Sequence, residues 1–300
     1  MTVTAVPAPK PPTYATLCAT PVAGALGAEI SGVDLSRSLT EGQLNELRRA
    51  VVEHRVVFLR DQPHSFDAQR ELTERLGGFG ETPFVGQVDG QPGIVAVVRE
   101  ADEQGIANFG GGWHSDWSFQ AAPPSFTLLW AVDVPPYGGD TLWANLELAY
   151  ERCSSGLRAT LDGLRAVHSA RRSYAPGSHI DQTRSQRAMR IDTSASALDE
   201  QVHPLVTVHP ESGRRALFLN PTYVLRIDGW TAEESQPLLA HLHAHATREA
   251  FTCRFRWSAG TLAIWDNRAT EHNAINDYDG FRREAYRSTV AGTVPQGVSS

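Results

Sequence analysis

Three hundred residues, 41% of them hydrophobic, are enough to build a sizeable core in one large domain or two small ones. A formal charge of −7 without a basic cluster argues against nucleic acid as a partner. No apolar run approaches the ~20 residues that cross a bilayer, and residues 1–13, rich in Pro, Ala and Thr, lack the apolar stretch of a signal peptide and read as a disordered lead-in. Cys18, Cys153 and Cys253 are widely spaced with no Cys-x-x-Cys pair, which suits reduced, buried thiols in a cytoplasmic protein.

In chain order, Thr40-Glu41-Gly42-Gln43 has the form of a capping box, and Leu44, Leu47 and Val51 follow at helical spacing. Arg55 to Arg60 is a short apolar run typical of a buried strand. A second helix is expected over Ser65–Leu76, stopped by Gly77-Gly78. Ile94–Val98 reads as a strand, and Gly105–Gly112 as a glycine-rich loop able to move. Its three consecutive glycines lack the Gly-Lys-Ser/Thr ending and following helix of a phosphate cradle. Phe126–Val132 is a strand ended by Pro135-Pro136, and Leu146–Cys153 a helix.

The section 169–201 is rich in Arg, Ser and Asp, too polar for core, and reads as a lid or insertion. Leu205–His209 and Arg215–Asn220 flank a turn and form a hairpin. Thr231 caps a helix carrying Leu238, Leu239 and Leu242. Phe251, Cys253, Phe255 and Trp257 alternate with polar residues as a half-buried strand, and Thr261–Trp265 and Ala285–Ala291 add two more. Many short strands with few helices predict a mainly β fold with peripheral helices, a double-sheet jelly roll. One domain over 14–295 and a tail over 296–300 complete the expected organisation.

The chemistry gathers in Trp113-His114-Ser115-Asp116-Trp117 and the distant Trp265 to His272. On a strand, His114 and Asp116 would project from one face. With His272 they make a two-histidine, one-carboxylate set that leaves positions open on an octahedral metal, the pattern of non-haem Fe(II) oxygenases. Arg283, eleven residues beyond His272, is a fixed cation suited to gripping a dicarboxylate bidentately. A hydrogen-bonded His114–Asp116 pair with no metal is the bland alternative. On the helix after Thr231, His241 and His245 share a face at zinc-like spacing, but no third ligand accompanies them, so a solvated face is expected.

The Trp113–Ser118 segment, the Gly138-Gly139-Asp140-Thr141 run and the Trp265–Arg287 block together resemble the TauD/TfdA family of Fe(II)- and 2-oxoglutarate-dependent dioxygenases, from about Thr20 to Pro295. The resemblance implies a cupin-like double-stranded β-helix, Fe(II) held by His114, Asp116 and His272, and 2-oxoglutarate and O2 as co-substrates. It also implies that the Thr141 hydroxyl and Arg283 hold the far carboxylate of 2-oxoglutarate. Arg282 lies next door and could take the role of Arg283. Arg287 shares a strand face with Arg283. It matches the arginine that grips the anionic group in sulfonate-oxidising relatives, and it could instead contact the co-substrate or pair with Asp116. Family analogy implies a homo-oligomer, dimer or tetramer.

The sequence departs from the taurine pattern at Thr82–Gln87, where the histidine of those enzymes is absent, and at Phe109-Gly110-Gly111-Gly112, where they carry asparagine. Phe84, Val85, Phe109, Trp117 and Phe119 are then expected to line a larger, more apolar pocket. The reading that follows is oxidation of an unactivated C–H position in a medium-sized, largely apolar organic acid, such as a secondary-metabolite or antibiotic intermediate, releasing succinate and CO2. Cleavage of an alkylsulfonate or sulfate ester for sulfur scavenging is the alternative within the family. A zinc hydrolase on the same three ligands is the alternative from another class.

Overall fold

A computed structural model describes residues 13–103 and 105–298. All of the expected lead-in but Thr13, and the last two residues of the expected tail, lie outside the described residues. The chain opens with β1 (Cys18–Pro21), β2 (Ala28–Ser31), α1 (Glu41–His54), β3 (Val56–Leu59), α2 (Phe66–Gly77), β4 (Gln87–Val88) and β5 (Gln91–Arg99). It continues through β6 (Phe126–Asp133), β7 (Thr141–Asn145), α3 (Leu146–Glu151), α4 (Ser155–Leu161) and β8 (Arg165–Ser169). Then come α5 (Arg171–Tyr174), α6 (His179–Thr183), β9 (Glu200–Pro204), β10 (Val206–Val208), β11 (Arg215–Leu217) and β12 (Val224–Ile227). The last elements are α7 (Ala232–Ala246), β13 (Thr252–Phe255), β14 (Leu262–Asp266), β15 (Thr270–Ala274) and β16 (Arg283–Thr289).

Strict alternation along the central strands builds two cores. In the large sheet, ordered β1-β2-β3-β14-β6-β16-β5-β4, Val57, Leu59, Phe126, Leu128, Trp130, Leu262 and Ile264 point to one face. There they meet Leu44, Leu47 and Val51 of α1 and Leu72 and Leu76 of α2. The expected capping box starts α1, with Thr40 Oγ1 accepting from the Gln43 amide at 3.2 Å. The intervening residues, Val56, Phe58, Leu129, Ala131, Ala263, Trp265 and Ala285, point to the other face. They pack on Trp143, Cys253 and Phe255 of the small sheet β13-β7-β15. Two sheets face to face around this second core form the jelly roll that the strand pattern predicts. Phe58 is fully buried and stacks on Phe255 at 3.7 Å; burial of such a ring contributes roughly 1.5–3 kcal/mol.

A third cluster is built from α3, α4, α7 and the strands β8 and β10–β12, with α3 touching β15 of the small sheet. The section 169–201 differs from its expectation. Tyr174, Ala175, Met189, Ile191 and Ala197 are buried in a fourth cluster with Val85 and Trp117. These apolar residues stand singly among polar ones, so no periodicity announces them. Backbone bonds pin the section down instead: Asp192 N to Phe84 O at 2.8 Å, Gly86 N to Arg190 O at 2.9 Å and Ser194 N to Tyr174 O at 3.0 Å. Cys18 is exposed, against the expectation of three buried thiols. The histidines of α7 also part ways, since His241 is exposed whereas His245 is buried with Nε2 at 2.9 Å from the Ala149 carbonyl. Among the described residues, no helix is long and apolar enough to cross a membrane.

At the end of β14, Asp266 is fully buried and accepts from Arg268 Nη2 at 2.6 Å, with His209 Nε2 at 2.9 Å. Burial alone would raise its carboxyl, but Arg268 and His209 outweigh it and hold the group well below the usual carboxylate range. A depressed carboxylate stabilises the fold above its unfolded value of about 3.9 and loses that contribution as the pH falls further. Asp266→Ala leaves Arg268 Nε and Nη2 and His209 Nε2 without their buried acceptor, with only Nη1 still held by Glu211, and should cost about 3–5 kcal/mol. Urea unfolding at neutral pH measures this, and a loss under about 1 kcal/mol would contradict it.

Candidate active site

His114 and His272 are joined by their backbones. The His114 amide donates to the His272 carbonyl at 2.9 Å and the His272 amide donates back at 2.8 Å, so the two residues form a single antiparallel bridge beside β15. Their rings lie 4.1 Å apart. Asp116 reaches them differently from the strand geometry expected of a His-x-Asp pair. After the bridge the chain turns at once, Trp117 adopting the left-handed region with φ +48, and Asp116 sits in that turn. Its Oδ1 lies 3.7 Å from His114 Nε2. Donor atoms of His114, Asp116 and His272 all fall within 4.8 Å of one another, and all three residues are buried.

The surroundings set the protonation and aim of each group. His114 Nδ1 lies 2.9 Å from the Gly112 carbonyl, which fixes a proton there and leaves Nε2 as a lone-pair donor. Burial lowers both imidazoles, His272 down to about 3, so both are neutral, as metal ligation requires. Burial would raise the Asp116 carboxyl, but Arg287, with a bond from Thr127, holds it below its ordinary value. Thr127 Oγ1 donates to Asp116 Oδ2 at 2.7 Å, Asn267 Nδ2 donates to Thr127 Oγ1 at 2.8 Å, and Trp265 Nε1 donates to Asn267 Oδ1 at 3.0 Å. Arg287 Nη1 lies 3.3 Å from Asp116 Oδ1, the ion pair that the arginine's position made conceivable.

β16 places Arg283, Ala285 and Arg287 on the inner face of the large sheet, as alternation requires. A cavity opens there, lined among others by His114, His272, Thr141, Phe109, Arg283 and Arg287. Trp257 organises its far end. Its Nε1 donates to Thr141 Oγ1 at 3.0 Å, and the Arg283 guanidinium sits 5.5 Å over its ring. The turn before Thr141 needs its glycine. Gly138 has φ +73, and a Cβ there would lie 2.6 Å from the Asp277 carbonyl oxygen. Arg283 is buried, and its guanidinium has no hydrogen-bond partner among the described residues. Arg282 is not its substitute: it is half-exposed, pairing with Glu100 at 3.1 Å, Asp133 at 3.1 Å and Glu284 at 2.9 Å.

Of the five expected pocket residues, only Phe109 lines this cavity. Phe84, Val85, Trp117 and Phe119 belong to the adjoining aromatic cluster, where Phe84, at φ +64, stacks on Tyr174 at 5.0 Å. Tyr223, whose ring is 6.2 Å from that of His114, and Tyr174 are additions that the sequence reading did not find. Tyr174 was hidden in the polar section and Tyr223 in a loop after Pro221. Thr127 and Asn267 were missed as well; a threonine on the inward face of an apolar strand was the available signal.

The family profile described as "Taurine catabolism dioxygenase TauD, TfdA family" matches residues 19–289. An alpha-ketoglutarate-dependent sulfate ester dioxygenase of Pseudomonas putida is 41% identical over 93% of this chain and 90% of its own length. An alkylsulfatase of Acinetobacter baylyi is 36% identical over 92% of this chain and 85% of its own. Among solved structures, a taurine dioxygenase from Burkholderia xenovorans superposes with a TM-score of 0.78 at 38% identity, covering 94% of this chain and 93% of that one. The chain belongs to the TauD/TfdA family. It is a non-haem iron dioxygenase that uses Fe(II), 2-oxoglutarate and O2, and the zinc-hydrolase reading is set aside.

Because Thr127 is the only described side chain other than Arg287 that donates to Asp116, Thr127→Val removes a bond that aims the carboxylate while keeping the shape of the residue. Mn(II) affinity should fall about 10–100-fold, measured by isothermal titration, with the unfolding midpoint little changed. Unaltered Mn(II) binding would show that Asp116 needs no such support.

Proposed function

We propose that this dioxygenase oxidises a C–H bond of a medium-sized, largely apolar organic anion, with Arg287 as the partner of the anionic group. The observation that carries the reading is the state of Arg287. It is buried between the Trp117 ring at 4.7 Å and the Phe109 ring at 5.3 Å, and its Nε and Nη2 have no partner among the described residues. Buried N–H groups left unmade cost about 1–3 kcal/mol each, a cost that an incoming oxoanion removes.

In this reading His114, Asp116 and His272 hold Fe(II), and the donor set fits: two neutral imidazoles and one ionised carboxylate, with an unpaired guanidinium nearby for the co-substrate. Arg283 and Thr141 take the outer carboxylate of 2-oxoglutarate. Trp257 keeps the Thr141 hydroxyl proton free to donate by itself bonding to the oxygen. Bound there, the iron and co-substrate supply the oxidising chemistry, with succinate and CO2 as co-products. The chain's own contribution is to orient the C–H bond and to exclude water. The aromatic cluster of Phe84, Trp117, Phe119, Tyr174 and Tyr223 does the second.

The walls speak against taurine. In the cavity itself Phe109 stands over Arg287, and the ammonium of a small zwitterion would meet apolar surface there. An organic carboxylate and a sulfate ester both satisfy the Arg287 requirement. The 41% identity to a sulfate ester dioxygenase favours the second. Oxidation at the carbon bearing the ester oxygen would then release sulfate and an aldehyde.

The test has two stages. Anaerobic titration with Fe(II) and 2-oxoglutarate should give a weak visible charge-transfer band that His114→Ala abolishes. The parent is then offered alkyl sulfates, arylalkyl carboxylates and taurine, with succinate and sulfate measured. Succinate release stimulated by an apolar anion more than by taurine is expected, with stoichiometric sulfate if the ester reading holds. Arg287→Lys should cost about 2 kcal/mol, roughly thirtyfold in kcat/KM. Taurine as the best substrate, or turnover indifferent to Arg287→Lys, would refute the proposal.

A further inference from the structure

Beyond Arg283 the active-site cavity does not end. A second, narrow hollow shares Val97, Phe109, Ala274 and Arg283 with it, and runs outward between the loop after β5 and the section that follows α6. Arg99, Glu103, Arg187, Met189 and Tyr278 are among its walls. Three guanidinium groups therefore face one space. Arg99 is spent: its nitrogens go to Asp279, Asn276, the Asn108 side chain at 2.8 Å and the Glu103 carbonyl at 2.8 Å. Glu103 is committed too, with Oε1 accepting from the amides of Ala188 at 2.8 Å and Glu100 at 3.1 Å. Arg283 is unpartnered, and Arg187 has only two long bonds, 3.4 Å each, to Thr183 Oγ1 and no ion pair among the described residues. The Glu103 carboxylate, another wall of the chamber, attracts Arg187, but one carboxylate does not offset two guanidinium groups, Arg187 and the buried Arg283. Such an arrangement is relieved by a mobile anion.

The geometry points to this chamber as the approach by which 2-oxoglutarate reaches Arg283, with Arg187 as a second cation that gathers its outer carboxylate. The inference rests on the co-substrate reading of Arg283 above. A dianion entering a cleft of net positive charge is concentrated there and its on-rate raised, an effect that salt weakens. Arg187 also stands one residue from Ala188, whose amide is tied to Glu103. Holding the carboxylate would therefore draw the section 184–190 onto the filled chamber, with Met189 and Tyr174 behind it. Arg187 is a binding and positioning residue, since it faces the far end of the co-substrate and not the reacting carbon.

The experiment is anaerobic stopped-flow binding of 2-oxoglutarate to the Mn(II)-loaded protein, followed by tryptophan fluorescence, with the equilibrium Kd from isothermal titration. Arg187→Ala should raise the Kd five- to tenfold, chiefly through a slower on-rate, and the difference should shrink between low and high salt. Arg187→Lys should restore most of the on-rate. Arg190→Ala, an exposed arginine of the same section paired only with Asp192 at 3.8 Å, should bind like the parent. Limited proteolysis of the section should be slowed by 2-oxoglutarate in the parent and less so in Arg187→Ala. If Arg187→Ala binds with the parent's Kd and on-rate, the inference is overturned while the co-substrate site stands. If the parent itself fails to bind 2-oxoglutarate, or Arg283→Ala binds as well as the parent, the reading of Arg283 is what falls.

Discussion

Everything at the centre of this protein hangs on the reciprocal backbone pairing of His114 with His272. Side chains alone would leave two imidazoles free to sample many separations; two peptide hydrogen bonds fix their Cα atoms at ladder distance. That bridge also decides where Asp116 goes. A longer strand would carry the carboxylate along the sheet edge, whereas ending after one residue lets the chain turn through the left-handed Trp117 and send Asp116 inward. The backbone cost of that conformation, of order 1–3 kcal/mol, is offset by fully burying the Trp117 indole against Arg287 and Tyr174.

From that bridge the support spreads through both sheets. Asp116 rests on Thr127 of β6, Thr127 on Asn267, and Asn267 on Trp265 of β14, so a carboxylate in a loop is braced by two neighbouring strands of the large sheet. His272 belongs to β15 of the small sheet, with Trp143 and Trp265 against its ring. The site therefore spans the interior where the sheets face one another, and the rigidity of that core becomes the rigidity of the ligand set. Trp257 performs the same service at the far end of the cavity, bonding Thr141 through its edge and meeting Arg283 with its face.

These relations explain which parts of the molecule were legible in the sequence. The strands β3, β6 and β14 could be read because both of their faces are buried by different partners, which leaves nearly continuous apolar runs. Arg283 and Arg287 stand out against that background as cations on an inward face. The capping box of α1 was legible because it is closed within four residues. The section 169–201 was not, because its stability comes from bonds to Phe84 and Gly86 and from isolated buried residues such as Tyr174 and Met189, contacts that leave no period in the chain. The single bridge at His114 was hidden for a similar reason: a His-x-Asp pair looks the same whether the chain runs on as a strand or turns.

Specificity in this family member is then a question of what replaces polar groups near a fixed arginine. Around Arg287 the chain sets rings: Phe109 and Trp117 over its planar faces, with Phe84, Phe119, Tyr174 and Tyr223 beyond. Stacking satisfies the faces of a guanidinium but none of its N–H groups. A pocket of this kind holds the cation rigid, strips it of water and leaves two donors directed at nothing among the described residues. A fully hydrated zwitterion gains little from such a place, since its ammonium would meet the same apolar rings. On the function proposed above, a substrate with one oxoanion and a hydrocarbon body gains on both counts, and rings in place of polar walls would favour hydrophobic anions without moving the arginine.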